Sequence, residues 1–156
     1  MVSGAGAPTR VLLVEDEQAN RALIGAILLR AEQAGRGRYE VAAAGSLAEA
    51  RDLLRRPFDI VLLDVRLPDG SGLELAAELR GLPDDRRPYV IVQSASVLEH
   101  ERDAAMQRGA DAFLGKPYGA DELLAQLSRC CADRPAVTPG RASARDPGQG
   151  LAAEEP

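Results

Sequence analysis

The chain has no tryptophan, three tyrosines and two phenylalanines among its 156 residues. A core without aromatic bulk has to be assembled from Leu, Val, Ile and Ala. No apolar run approaches the roughly 20 residues that span a bilayer, which speaks against a membrane anchor. The stretch Met1 to Thr9 has no basic start followed by an apolar block, so no secretory signal is expected. Only two cysteines occur, Cys130 and Cys131. As immediate neighbours they argue against an intrachain disulfide framework and for a reducing compartment, hence the cytoplasm. Both read most simply as ordinary thiols near the end of a helix. Positive charge is also in short supply. The net charge of −5 speaks against a domain whose main task is to coat nucleic acid or an anionic membrane. What remains is 46% hydrophobic and 28% charged, the profile of one globular domain able to bury a core without disulfide or metal staples.

Both ends read as loose: residues 1–9 as a flexible N-terminus, residues 133–156 as a disordered tail dense in Pro, Gly and Ala. Residues 10–132 form the expected folded unit. Within it, short apolar runs alternate with amphipathic stretches. Val11 to Val14 is a continuous apolar run, as a strand covered on both faces should be. The next stretch puts Leu23, Ile24, Ile27, Leu28 and Ala31 on one side of a helix that Gly35 and Gly37 end. Tyr39 to Ala43 reads as a second strand. Ser46 is a suitable N-cap, with Glu49 at capping-box spacing, for a helix turning Leu47, Ala50, Leu53 and Leu54 inward. Ile60 to Leu63 is a third strand, followed by a turn-rich loop from Leu67 to Gly72 and a helix with Leu75, Ala76 and Leu79 inside. Tyr89 to Val92 is a fourth strand. Val97 to Arg108 reads as a helix stopped at Gly109. Ala112 to Leu114 is a fifth strand, and Asp121 to about Ala132 a last helix carrying Leu123, Leu124 and Leu127. Five strands alternating with five helices predict a doubly wound α/β fold on a parallel sheet.

In such sheets ligands sit beyond the carboxyl ends of the strands. Glu15, Asp16 and Glu17 follow the first strand, Asp64 the third, Ser94 to Ser96 the fourth, and Gly115, Lys116 and Pro117 the fifth. Acidic residues after a strand often serve only the dipole of the next helix, and Glu15 to Glu17 alone would read that way. Asp64 is not placed as a helix cap. Lys116 is the only lysine in a chain whose other basic residues are all arginine, so the compact amine itself is implicated. A carboxylate cluster without His or Cys favours a hard, oxygen-seeking ion, with Mg²⁺ the obvious candidate.

The segments VLLVEDE, DIVLLDVRLPDGSGLEL, VIVQSAS and DAFLGKP resemble the successive motifs of the receiver domain of two-component response regulators. The likeness covers essentially all of residues 10–132, and SASVLEHERDAAMQRGADAFLGKP looks most like receivers attached to hybrid sensor kinases. The resemblance implies a flavodoxin-like sheet of order 2-1-3-4-5. It implies transfer of a phosphoryl group from a phosphohistidine on a histidine kinase or histidine phosphotransfer protein to Asp64. Glu15, Asp16, Asp64 and the backbone carbonyl of Arg66 would hold Mg²⁺. Lys116 and Ser94 would bind phosphoryl oxygens, and Phe113 would be a switch aromatic coupled to Ser94. The resemblance leaves monomer and homodimer open, a dimer running through the fourth helix, fifth strand and fifth helix, and direct DNA binding is not expected. Glu15 stands where the family more often has Asp. Arg66 and Ser96 flank the phosphoryl position and can shield or admit the attacking water, and Arg66 is expected to alter the phosphoryl lifetime. His100, the only histidine, reads as a solvated helix position. Two alternatives stay open: a receiver-like binding module that signals without phosphorylation, and a relay intermediate that passes the phosphoryl group onward.

Overall fold

The computed structural model describes residues 7–95 and 98–133, with the side chains of 131–133 left aside. Along the chain run β1 (Thr9–Val14), α1 (Gln18–Gln33), β2 (Tyr39–Ala44), α2 (Leu47–Leu53), β3 (Ile60–Asp64), β4 (Arg66–Leu67), β5 (Gly70–Ser71), α3 (Gly72–Arg80), β6 (Tyr89–Ser94), α4 (Glu99–Arg108), β7 (Ala112–Gly115) and α5 (Ala120–Asp133). The main sheet is parallel throughout, in the order β2-β1-β3-β6-β7. With the two-residue strands β4 and β5 set apart, this is the flavodoxin-like order expected from the sequence.

Every residue of β3 and of β6 is buried, because helices cover both faces of the sheet. The alternation of side chains along a strand divides the core in two. Val11, Leu13, Ile60, Leu62 and Ile91 face one way and pack with Ile24 and Leu28 of α1 and Leu123 and Leu127 of α5. Leu12, Val14, Val61, Leu63, Val90 and Val92 face the other way and pack with Leu47 of α2, Leu75 and Leu79 of α3, and Ala105 of α4. Each fully buried aliphatic side chain contributes about 1.5–3 kcal/mol, so these strands dominate the stability of the domain.

Local signals place the helix ends. The Ser46 hydroxyl accepts the Glu49 N–H, while the Glu49 carboxylate takes the N–H of Gly45 instead of closing the box on Ser46. A reciprocal capping box forms one helix later, between Ser71 and Glu74. Gly109 ends α4 at φ 122, a conformation that L side chains rarely adopt.

Two expectations need correction. Leu23 is 56% exposed rather than inward, because Ile24, Leu28 and Ala31 define the buried stripe of α1 and Leu23 lies off it. Leu54 does pack inward against the core as expected, from the C-cap position of α2. The segment from Leu67 to Gly72 is also more ordered than a loop: β4 and β5 pair antiparallel, Arg66 with Ser71 and Leu67 with Gly70. Helix α4 runs from Glu99, with Leu98 as N-cap. Val97, Ser96, residues 1–6 and 134–156, and the Cys131 side chain lie outside the described residues. Cys130 is a buried thiol and His100 is exposed.

Candidate functional site

The register of the sheet brings the strand ends together. Val14 of β1 pairs with Leu63 of β3, so the next residues, Glu15 and Asp64, emerge side by side. Asp64 pairs with Gln93 on β6, and Ser94 pairs with Gly115 on β7. Lys116 follows at once, its backbone N–H donating to the Ser94 carbonyl at 2.7 Å.

The Lys116 ammonium bridges two carboxylates, donating to Glu15 Oε1 at 2.9 Å and Asp64 Oδ2 at 3.2 Å. Glu15 is almost wholly buried, and its Oε2 accepts the Glu17 N–H at 3.2 Å. The Glu15 carbonyl accepts from Arg21 Nη1 at 2.6 Å, which ties the first turn of α1 to the site. Asp64 Oδ1 takes a long hydrogen bond, 3.5 Å, from the Arg66 N–H. Asp16 is exposed, yet one oxygen from each of Glu15, Asp16 and Asp64 lies within 4.8 Å of the others. Three carboxylates thus face one ammonium. This all-oxygen donor set fits a hard divalent cation.

Electrostatics follow from that imbalance. Burial, then the charge of Glu15, pushes the Asp64 carboxyl above its ordinary pKa, with Lys116 opposing. For Lys116 burial works downward, but the hydrogen bond to Glu15 and the charge of Asp64 outweigh it, and the amine is held above its ordinary value. It therefore stays protonated across the working range.

Glu15, Asp16, Asp64 and Lys116 are gathered into one cluster, as their places at the strand ends predict. Ser94 is buried at the end of β6, joined to Lys116 through its carbonyl. Arg66 opens β4, its backbone N–H on Asp64 and its side chain exposed. Phe113 is not in the cluster. It is half-buried and packs with Val90 and Val92 against the α2–α3–α4 layer.

Three features escaped the sequence reading. A Cβ on Gly72 would lie 2.0 Å from the Asp64 carbonyl oxygen, so only glycine lets the start of α3 come this close to the end of β3. The signal available was a glycine at the first position of a helix, where most residues serve better. Asp69 reaches back across the loop, its Oδ1 and Oδ2 accepting the N–H groups of Leu47 and Ala48 at 2.8 and 3.0 Å. Its carboxyl is pulled below the ordinary range, mainly by the Leu47 bond. The Tyr118 hydroxyl donates to the side chain of Gln93, a contact that nothing in the local pattern announces.

Comparison with known proteins bears on this arrangement. Residues 11–128 match the model of the response regulator receiver domain. The chain is 39% identical over 129 residues to the KDP operon transcriptional regulatory protein KdpE of Escherichia coli K12, covering 76% of this chain and 49% of that one. It is 39% identical over 122 residues to the response regulator MprA of Mycobacterium sp. strain KMS, covering 77% and 49%. The chain thus spans about half the length of these curated relatives. Among solved structures, it resembles the receiver domain of a sensor histidine kinase from Pseudomonas aeruginosa PAO1, which has a magnesium ion coordinated in its active-site cleft. The TM-score is 0.69 and the identity 31%, over 81% of this chain and 99% of that one. A CheY-like receiver from Methanospirillum hungatei JF-1 superposes with TM-score 0.70 at 26% identity, over 81% and 96%.

Proposed function

This chain belongs to the response regulator receiver domain family, and from that premise we propose that it accepts a phosphoryl group on Asp64 from a phosphohistidine of a histidine kinase or phosphotransfer protein. The observation that carries the reading is the Asp64 carboxylate, at a strand end, sharing the single Lys116 ammonium with Glu15.

Asp64 is the nucleophile. One of its carboxylate oxygens forms a bond to phosphorus while the phosphorus–nitrogen bond to the donor imidazole breaks, its electron pair leaving with the nitrogen. Burial and the Glu15 charge raise its pKa, and the Lys116 ammonium opposes them, favouring the ionised form that attacks. Lys116 exchanges its contact with Asp64 for one with a phosphoryl oxygen, a charge-assisted bond that strengthens as charge accumulates there. Ser94 donates its hydroxyl to another of those oxygens. Glu15, Asp16, Asp64 and the Arg66 carbonyl would hold Mg²⁺, which would neutralise negative charge on the transferring group. Glu15 would serve in place of aspartate, since either carboxylate can reach the ion directly or through water.

Phosphorylation then biases a protein-interaction face. Ser94 moves toward the phosphoryl group, Phe113 follows, and the face of α4, β7 and α5 changes shape. Leu98 and Met106, both exposed, give α4 apolar contact points for a target or a second copy of the chain. In this reading the domain acts in the cytoplasm and does not itself contact DNA. Among the described residues no helix is long and apolar enough to cross a membrane.

Intact-mass spectrometry after incubation with acetyl phosphate tests the proposal, with Mg²⁺ or excess EDTA, on the wild type and Asp64→Ala. One added phosphoryl group that requires both Mg²⁺ and Asp64 supports it. If no adduct forms, and beryllofluoride with Mg²⁺ leaves the NMR signals of Ser94 and Phe113 unchanged, the phosphorylation-independent binding module takes its place.

A further inference from the structure

Gln93 is fully buried on a strand whose other residues on the same face, Tyr89 and Ile91, belong to an apolar cluster. Its amide is only half satisfied. Oε1 accepts the Tyr118 hydroxyl, while Nε2 is buried with no hydrogen-bond partner among the described residues. A buried donor without a partner lowers stability, and an apolar side chain of similar size would relieve that cost. Packing therefore does not account for an amide at this position.

Its neighbours do. Gln93 pairs directly with Asp64 across the sheet, and its carbonyl accepts the Val65 N–H at 3.2 Å. Tyr118, its side-chain partner, lies two residues beyond Lys116. The root of the lysine is thus fixed on both sides: before the side chain by its own N–H on the Ser94 carbonyl, and after it by the Tyr118 hydroxyl on Gln93. A lysine stem has four rotatable bonds, so the amine is held in one place only if its backbone is. Burial first, then the charges of Glu15 and Asp64, drives the Tyr118 phenol far above its ordinary range. The hydroxyl keeps its proton and stays a donor at every working pH.

We propose that Gln93 is a positioning residue for Lys116, acting through the Tyr118 hydroxyl to hold the ammonium between Glu15 and Asp64. The inference rests on the reading of Asp64 as phosphoacceptor, but it also makes a claim about the resting protein. Misplacement of a reacting group by about 1 Å can cost on the order of a hundredfold in rate, so loosening one of two anchors should have a measurable effect.

The test uses Gln93→Leu, Tyr118→Phe and the double variant of the full chain. Phosphorylation by acetyl phosphate at saturating Mg²⁺ should slow about tenfold in each single variant, and no further in the double variant, since both remove one bond. Thermal stability of the double variant, which leaves neither partner unpaired, should hold or rise, so that rate and stability move apart. Because Lys116 is the only lysine, its ¹⁵Nζ resonance is unique in a lysine-labelled sample and should shift in both single variants. Wild-type rates, additive losses, a rate loss that merely follows a fall in Tm, or an unmoved Lys116 signal would each overturn the proposal. If the wild type takes up no phosphoryl group and beryllofluoride leaves Ser94 and Phe113 unchanged, the reading of Asp64 fails instead, and the Lys116 resonance still decides the role of Gln93.

Discussion

The Lys116 ammonium lies 3.2 Å from Asp64 Oδ2, and the same ammonium lies closer still, at 2.9 Å, to Glu15 Oε1. One cation therefore serves two buried carboxylates, with Asp16 adding a third negative group beside them. The resting site carries uncompensated negative charge, which costs stability and which a divalent cation would relieve.

Asp64→Asn should therefore stabilise the protein. The raised pKa of Asp64 means that folding disfavours its ionised form, so the penalty is complete above the folded pKa. It fades as the pH falls through that value and is gone below the ordinary 3.8. In EDTA at neutral pH the variant should gain about 1 kcal/mol, a few degrees of Tm. The gain should shrink steadily in melts at more acid pH. A destabilised variant at neutral pH would contradict the charge balance described here.

Lys116→Met should do the opposite. Its removal leaves Glu15 and Asp64 facing each other without a cation, at roughly 2–4 kcal/mol. Denaturant melts with and without Mg²⁺ should show most of that loss recovered when the cation is present. In the wild type, the amine's raised pKa means its stabilising contribution persists to high pH and is lost only above the ordinary 10.5.

Gly72→Ala should be severe for so small a change. The added methyl would sit 2.0 Å from the Asp64 carbonyl oxygen, backbone that cannot swing aside. The start of α3 has to retreat from β3, breaking the 2.7 Å bond from the Gly72 N–H to the Val65 carbonyl. A loss of about 2 kcal/mol or more is expected in urea denaturation. Unchanged stability would mean that the approach of these two backbones is not needed.

Arg66 stands exposed two residues beyond Asp64, and the proposed function predicts that its side chain screens the attacking water. Arg66→Asn should shorten the life of the phosphorylated protein, measured as phosphate released after donor removal. Equal rates in the two proteins would remove this role.

Much of this was legible in the sequence. Continuous apolar runs such as Ile60 to Leu63 mark strands buried on both faces. The charged residues that follow them, Glu15, Asp64 and Lys116, can meet only if those strands run parallel in one sheet. What the sequence did not disclose depends on contacts between distant segments. Leu23 is as apolar as Ile24, and its exposure is set by where α1 rests on the sheet. Asp69 looks like a turn residue until the start of α2 comes within its reach. Gln93 in an apolar strand looks like an interruption until the fold delivers the Tyr118 hydroxyl to it.

The most direct test of the account is to locate the phosphoryl group chemically. Borohydride reduces an aspartyl phosphate to homoserine, and peptide mapping then finds the altered residue. After acetyl phosphate and Mg²⁺, homoserine should appear at position 64 and nowhere else, and treatment with EDTA should abolish it. Homoserine at Asp16, or a phosphorylated protein with Asp64 unaltered, would contradict the assignment of Asp64 as the acceptor.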